Sequence, residues 1–168
     1  LEIHNLILEL KSKITEIKNI DEKISALNYV RSELHSISPF KDNPVDFIEW
    51  VKNESVHAND YNPNSVAPPE MKLLQLSIEE DGYTQPIVSQ KISEEEREVV
   101  DGFHRNRVGK EVKRVRDKIF GYLPVVSIRE EKTGKQDRIA STIRHNRARG
   151  THSIKGMSQI VLELIALG

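Results

Sequence analysis

Residues 99–111 read VVDGFHRNRVGKE, and this stretch constrains the fold more than any other. Two valines lead into an Asp-Gly corner, and the following turn carries His104, Arg105 and Arg107. The pattern predicts a buried strand that stops at Gly102 and gives way at once to a helix. Helix starts favour acidic residues, because the first backbone amides already carry partial positive charge. Cations placed there cost a little stability unless an anion settles among them, and a phosphate fits that position. Gly102 allows close backbone approach, while His104 and Arg105 supply donors. Asp101 could orient His104 or Arg105, or assist a metal. The plainer reading is a strand-to-helix corner with surface arginines.

Bulk properties narrow the classes that could use such a corner. The chain has 168 residues, 30% of them charged and 5% aromatic, with a formal net charge of −1. That balance argues against coating nucleic acid by bulk charge and leaves room for local basic patches. No run approaches the ~18 apolar residues of a membrane span, and no signal peptide is visible, so a cytoplasmic protein with no membrane association is expected. The absence of cysteine removes disulfides, thiolate catalysis and cysteine-bound metals. A start at Leu1 suggests a trimmed fragment.

Apolar residues recur at helical spacing through residues 3–37: Ile3, Ile7, Leu10, Ile14 and Ile17, then Ile24, Leu27, Val30, Leu34 and Ile37. Asn19 and Asp21 suit an N-cap, which favours two helices in a hairpin over one rod. This segment is read as an extension over residues 1–38 that forms a homo-oligomer or docks on a partner; the alternative is packing on its own domain. The remaining residues, 39–168, read as an α+β domain. A short helix is expected from Asn43-Pro44 through Trp50, and an edge strand at SVHAND. A helix from Pro68 to Asp81-Gly82 comes next, then strands PIVSQKI and REVVD around a polar SEEE tip. After these come one basic helix, HRNRVGKEVKRVRDK, and a strand, YLPVVSI. Helices at DRIASTIRHN and SIKGMSQIVLELIAL end the chain.

Two further polar clusters stand out. NDYNPNSVAPPE gathers Asn, Asp and Glu70 ahead of a helix, which turn and capping chemistry explains for most of its members. Glu70 is the exception, since a carboxylate at a helix start could act as a base or hold Mg2+. RHNRARGTH, residues 144–152, holds three arginines and two histidines and could close a basic pocket with the first corner.

In this order, SIEEDGYTQPIV, VVDGFHR and RHNRARG resemble the ParB/sulfiredoxin superfamily across about residues 55–167. The motifs NDYNPNSVAPPEM, DGYTQPI, VDGFHR and IRHNRARG are most similar to its branch of ParB-like prophage co-activators, immunoglobulin-binding regulator B. The resemblance implies a nucleotide-binding fold whose Gly-x-x-Arg corner holds phosphates, which assigns Gly102, Phe103, His104 and Arg105 to the ligand. It adds Ser77 on the preceding helix and Asn146 and Arg149 in the later box. It makes Glu70 the counterpart of a kinase base. Sulfiredoxin keeps its reactive cysteine inside the corner, where this chain has Phe103, so sulfinic acid reduction is excluded. His145 replaces the glutamate that opens the later ParB box.

The expectation is therefore a protein that binds ATP or another nucleoside triphosphate, with Mg2+, and hydrolyses it or transfers its phosphate. Glu70, Asp101 and His104 would be catalytic, and Glu70 and Asp101 the metal ligands. The competing readings are a DNA-associated transcriptional co-activator and an adaptor. The resemblance suggests a partner of the phosphoadenosine-phosphosulfate reductase type for these.

Overall fold

The structure, a computed structural model, describes residues 1–58 and 67–128. The chain divides into two compact units, Leu1–Trp50 and Val51–Gly168.

In the first unit, helix α1 (Glu2–Glu16) and helix α2 (Ile20–Ser36) are separate. The break arises from Asn19, whose Oδ1 accepts the amides of Asp21 at 2.8 Å and Glu22 at 3.1 Å. Two acidic residues in the first turn of α2 then complement its dipole. Neither helix has a fully buried residue. After α2, Pro44–Asp46 forms one 3-10 turn. Asp46 closes it against α2, accepting from Ser38 Oγ at 3.0 Å and meeting His35 Nδ1, whose ring stacks on Phe47. The hydrogen bond from His35 holds the Asp46 carboxyl below the usual carboxylate range.

The helix expected to run to Trp50 is corrected by the structure: the turn gives way to strand β1 (Glu49–Lys52). Pro44 starts one helical turn, but Phe47, Ile48, Trp50 and Val51 are aromatic or β-branched and favour extended backbone. Asn28 fixes the new direction. Its Nδ2 donates to the Trp50 carbonyl at 2.7 Å, and its Oδ1 accepts the Trp50 amide at 3.1 Å.

The second unit is built on strands β2 (Val56–His57), β3 (Ile87–Lys91), β4 (Arg97–Asp101) and β5 (Tyr122–Ser127). With β1 they form one sheet in the order β1-β5-β3-β4-β2. The β3–β4 hairpin is antiparallel, as the polar tip implies, while β2 runs parallel to β4 and β3 parallel to β5. Helix α3 (Pro68–Asp81) begins on its two prolines and ends at Gly82, whose φ of 75° suits glycine. Val56, Ile87, Val99, Leu123 and Val125 form the core on the sheet. Ile78, Val108 and Val115 form a second cluster between helices. The α+β expectation holds.

The single basic helix is also corrected. It is two, α4 (Phe103–Glu111) and α5 (Lys113–Lys118), broken at Val112, which is extended at ψ 105°. The break lets Val112 pack with its neighbours on the Ile78–Val108–Val115 cluster. Among the described residues, no helix is long and apolar enough to cross a membrane.

Candidate functional site

A bulge in the β3–β4 ladder sets the direction of the corner. Val88 faces Asp101 and Ser89 faces Val99, so Val100 is an extra residue on β4. Such an insertion bends the strand and re-aims the residues just beyond it. Val99 and Val100 are both buried, and Asp101 is only 6% exposed at the strand end. Gly102 then takes the left-handed conformation, φ 92° and ψ 24°, and its carbonyl accepts the Asn106 amide at 2.9 Å. A side chain there would fail twice. The backbone angle is unfavourable to it, and a Cβ would lie 2.9 Å from Arg105 Nη2 and 3.3 Å from Ile87 Cα.

Arg105 folds back against the corner. Its Nη1 donates to Gln85 Oε1 at 2.8 Å and its Nη2 to the Pro86 carbonyl at 3.3 Å. The Asp101 carboxylate stands 3.7 Å from Nη2, with both side chains largely buried. Of the roles open to Asp101, orienting Arg105 is the one seen in this arrangement. Tyr83 Oη donates to the Arg105 carbonyl at 2.7 Å, and burial pushes that hydroxyl's pKa up. Below it, Gly109 leaves no room for a side chain: a Cβ would come 2.3 Å from Tyr83 Oη and 2.4 Å from Leu123 Cδ2.

The charge argument from sequence needs correction here. The cations after Gly102 are largely compensated within the protein. Arg107 binds Glu111 at 3.0 Å, Lys113 binds Asp117 at 2.8 Å, Lys110 donates to the Val56 carbonyl, and Lys118 donates to the Glu79 carbonyl. Along the chain the charges look unopposed; their partners lie one helical turn away or on another element.

Two features of the helix start remain. Gly102 provides no side-chain cap and the first turn of α4 has no acidic residue. The leading amides of any helix have no acceptor within it. Beside them, both ring nitrogens of His104 are buried without a hydrogen-bond partner among the described residues. Burial, and secondarily the charge of Arg107, lowers the His104 pKa and favours the neutral ring. Helix-start amides and a neutral imidazole are both groups that can donate to an anion.

The other candidate residues are placed differently. Phe103 is half-buried and packs on the core cluster. Glu70 and Ser77 are both exposed on α3; Ser77 Oγ is 3.5 Å from Asp81 Oδ2, and no hydrogen bond or ion pair ties either residue to the corner. Asn146 and Arg149 lie outside the described residues, as do NDYNPNSV and the two C-terminal helices expected from sequence. Among the described residues, no three His, Asp or Glu side chains gather as a protein-built metal site requires. Asp101 lies beside Arg105, and Glu70 is exposed in the first turn of α3.

Sequence reasoning misses Tyr83, Gln85, Pro86 and Gly109, which hold the corner from outside it. The available signal is a short GYTQP connection with two polar side chains directly after a helix-ending glycine.

The sequence also matches a known family. Residues 40–146 match the ParB N-terminal domain. The chain is 54% identical over 148 residues to the uncharacterized protein YbdM of Escherichia coli K12, covering 88% of this chain and 69% of that one. Among solved structures it is similar to the C-terminally truncated chromosome-partitioning protein ParB from Caulobacter crescentus, complexed with CTP-gamma-S. That match has 20% identity and a TM-score of 0.49, covering 62% of this chain and 54% of that one. C-terminally truncated SbnI from Staphylococcus aureus matches at 20% identity and a TM-score of 0.40, covering 54% of this chain and 34% of that one. The chain thus spans about half and a third of those two structures.

Proposed function

The chain belongs to the ParB N-terminal domain family, and from that premise we propose that its Gly102 corner binds the phosphates of a nucleoside triphosphate, ATP or another, in the cytoplasm. One observation carries the reading: α4 starts without a side-chain cap behind a left-handed glycine, and in its first turn the buried ring nitrogens of His104 have no hydrogen-bond partner among the described residues. In this reading the amides and His104 contact phosphate, and Arg105 positions the corner through Gln85, Pro86 and Asp101. Asn146 and Arg149 are proposed to close the site. The bound triphosphate would be hydrolysed or would transfer its phosphate, with Glu70 as base and Mg2+ carried on the triphosphate.

Calorimetry with ATP, CTP, GTP and UTP, with and without Mg2+, tests the binding. Gly102→Ala should weaken it about tenfold or more, because an L-residue in this conformation costs ~1–2 kcal/mol and its Cβ displaces Arg105. His104→Ala removes a donor worth ~0.5–1.5 kcal/mol, a several-fold loss. The pH dependence has a definite sign. In the free protein burial depresses the His104 pKa below 6.5, and an adjacent phosphate stabilises the protonated ring, so binding takes up a proton. Affinity should therefore rise as pH falls below neutrality, and more steeply in the wild type than in His104→Ala. A folded wild-type protein that binds none of the four nucleotides overturns the proposal.

A second reading has its own support. Residues 103–118 hold seven Lys or Arg against two acidic residues, and exposed Arg114 has no partner among the described residues. This basic stretch favours a DNA-associated co-activator of the immunoglobulin-binding regulator B kind, for which salt-sensitive DNA binding is the discriminating measurement.

A further inference from the structure

Helix α5 ends on an unusual residue. After its cap residue Ile119, the chain turns left-handed at Phe120, with φ 54°. The Phe120 amide donates to the Asp117 carbonyl at 3.2 Å, and the Gly121 amide to the Arg116 carbonyl at 3.0 Å. In this helix-ending turn the left-handed position normally falls to glycine. Here glycine comes one residue later, at Gly121. A bulky aromatic residue in this conformation is an outlier that costs stability. Burial does not offset the cost: Ile119 packs on both core clusters, whereas Phe120 is 61% exposed. A strained residue that gains no packing points to a use outside the fold.

The surroundings of the ring decide the kind of partner. Among residues 93–128, all of them described, Phe120 is the one exposed large hydrophobic residue. It is therefore not part of a contiguous apolar patch of the kind a protein partner buries. Cations surround it instead. Helix α5 holds Lys113, Arg114, Arg116 and Lys118 against one carboxylate, Asp117. Asp117 pairs with Lys113 at 2.8 Å, but both side chains are exposed and such a pair is weak. Arg116 and Lys118 donate to the carbonyls of Lys110 and Glu79, which satisfies their hydrogen bonding and leaves their charge in place. The six residues of α5 rise only ~9 Å, a length over which a nucleic acid strand carries about two or three phosphates.

We propose that α5 and Phe120 form a binding surface for single-stranded nucleic acid, with a base stacked on the Phe120 ring and the flanking phosphates on the α5 cations. In a duplex the base faces cover one another, whereas an unpaired strand offers them to an aromatic ring. The proposal rests on the DNA reading above for its charge, and adds to it the strand type and the aromatic contact.

Fluorescence anisotropy on the full chain, with a labelled oligonucleotide of about 20 thymidines and a duplex of the same length, tests it. The single strand should bind several-fold more tightly than the duplex at equal salt. Phe120→Leu keeps an apolar side chain and removes the ring, so single-strand affinity should fall about fivefold or more, and Phe120→Trp should keep it. Arg114→Gln should flatten the slope of log affinity against log salt by about 0.7. Phe120→Gly should weaken binding as Phe120→Leu does while raising the melting temperature by a few degrees, because the strain leaves with the side chain. A folded wild type that binds neither oligonucleotide overturns the proposal and the DNA reading together, and leaves the ring to a protein partner. A duplex bound as tightly as the single strand, or single-strand affinity unchanged in Phe120→Leu, overturns the proposal and leaves the DNA reading standing. A Phe120→Gly protein less stable than the wild type also overturns it, since no strain would then be held at Phe120.

Discussion

At the residue scale, two glycines close in sequence do different work. Gly102 is needed for its backbone angle, whereas Gly109 is needed for its missing side chain. Gly109→Ala tests this difference. In an open helix the change would add roughly 1 kcal/mol of helix propensity. Here the new methyl meets the Tyr83 hydroxyl, which is tied to the Arg105 carbonyl, and the fully buried Leu123. Overpacking of this kind costs ~1–3 kcal/mol, so a net loss is expected in urea unfolding. Removing one obstacle in the double variant Tyr83→Phe/Gly109→Ala should recover part of that loss, since Leu123 still blocks the rest. A Gly109→Ala protein more stable than wild type would mean that α4 shifts away from the sheet without cost. Arg105 is held in the same way: its guanidinium contacts Gln85, Pro86 and Asp101, so in the proposed site it would act through the geometry of the corner.

At the scale of elements, the helix starts differ in how they are closed. Helix α3 is closed at both ends: Glu70 complements its first turn, and Lys118 donates to the Glu79 carbonyl near its end. Helix α4 has neither device at its start. Glu70→Gln should therefore cost ~0.3–1 kcal/mol in stability through the lost dipole interaction. If Glu70 is also the base of a phosphoryl reaction, product release measured by chromatography falls to background while calorimetric affinity stays; full turnover in Glu70→Gln removes it from that role. The elements themselves are legible wherever a local rule sets them. The Asn19 cap, the hairpin with its polar tip and the Pro-to-Gly span of α3 all arise from neighbours in sequence. Non-local partners decide the features that sequence leaves hidden. Nothing near Asp101 shows that β4 bulges at Val100, because the bulge is defined by the opposite strand. Nothing near Arg105 shows that its acceptors come from residues 85 and 86. The stretch from Phe47 to Trp50 reads as helix in sequence because Pro44 gives the same start signal to a single turn.

Across the whole molecule, apolar surface is unevenly distributed. Twelve of the sixteen exposed large hydrophobic residues among those described lie in residues 1–45, and none of the buried core residues does. The core clusters draw only on residues from Val51 onward. Removing residues 1–38 should thus leave the second unit folded. The identifiable losses are the two hydrogen bonds from Asn28 to the Trp50 backbone and the contacts of His35 and Ser38 with Asp46 and of His35 with Phe47, none of which involves the core clusters. Unfolding of the 39–168 chain should therefore stay cooperative with a lowered urea midpoint. Trp50 is retained and is the single tryptophan, so its fluorescence reports the change directly. The deleted protein should also keep the nucleotide affinity proposed for the Gly102 corner. Loss of the cooperative transition would place residues 1–38 in the core of the fold.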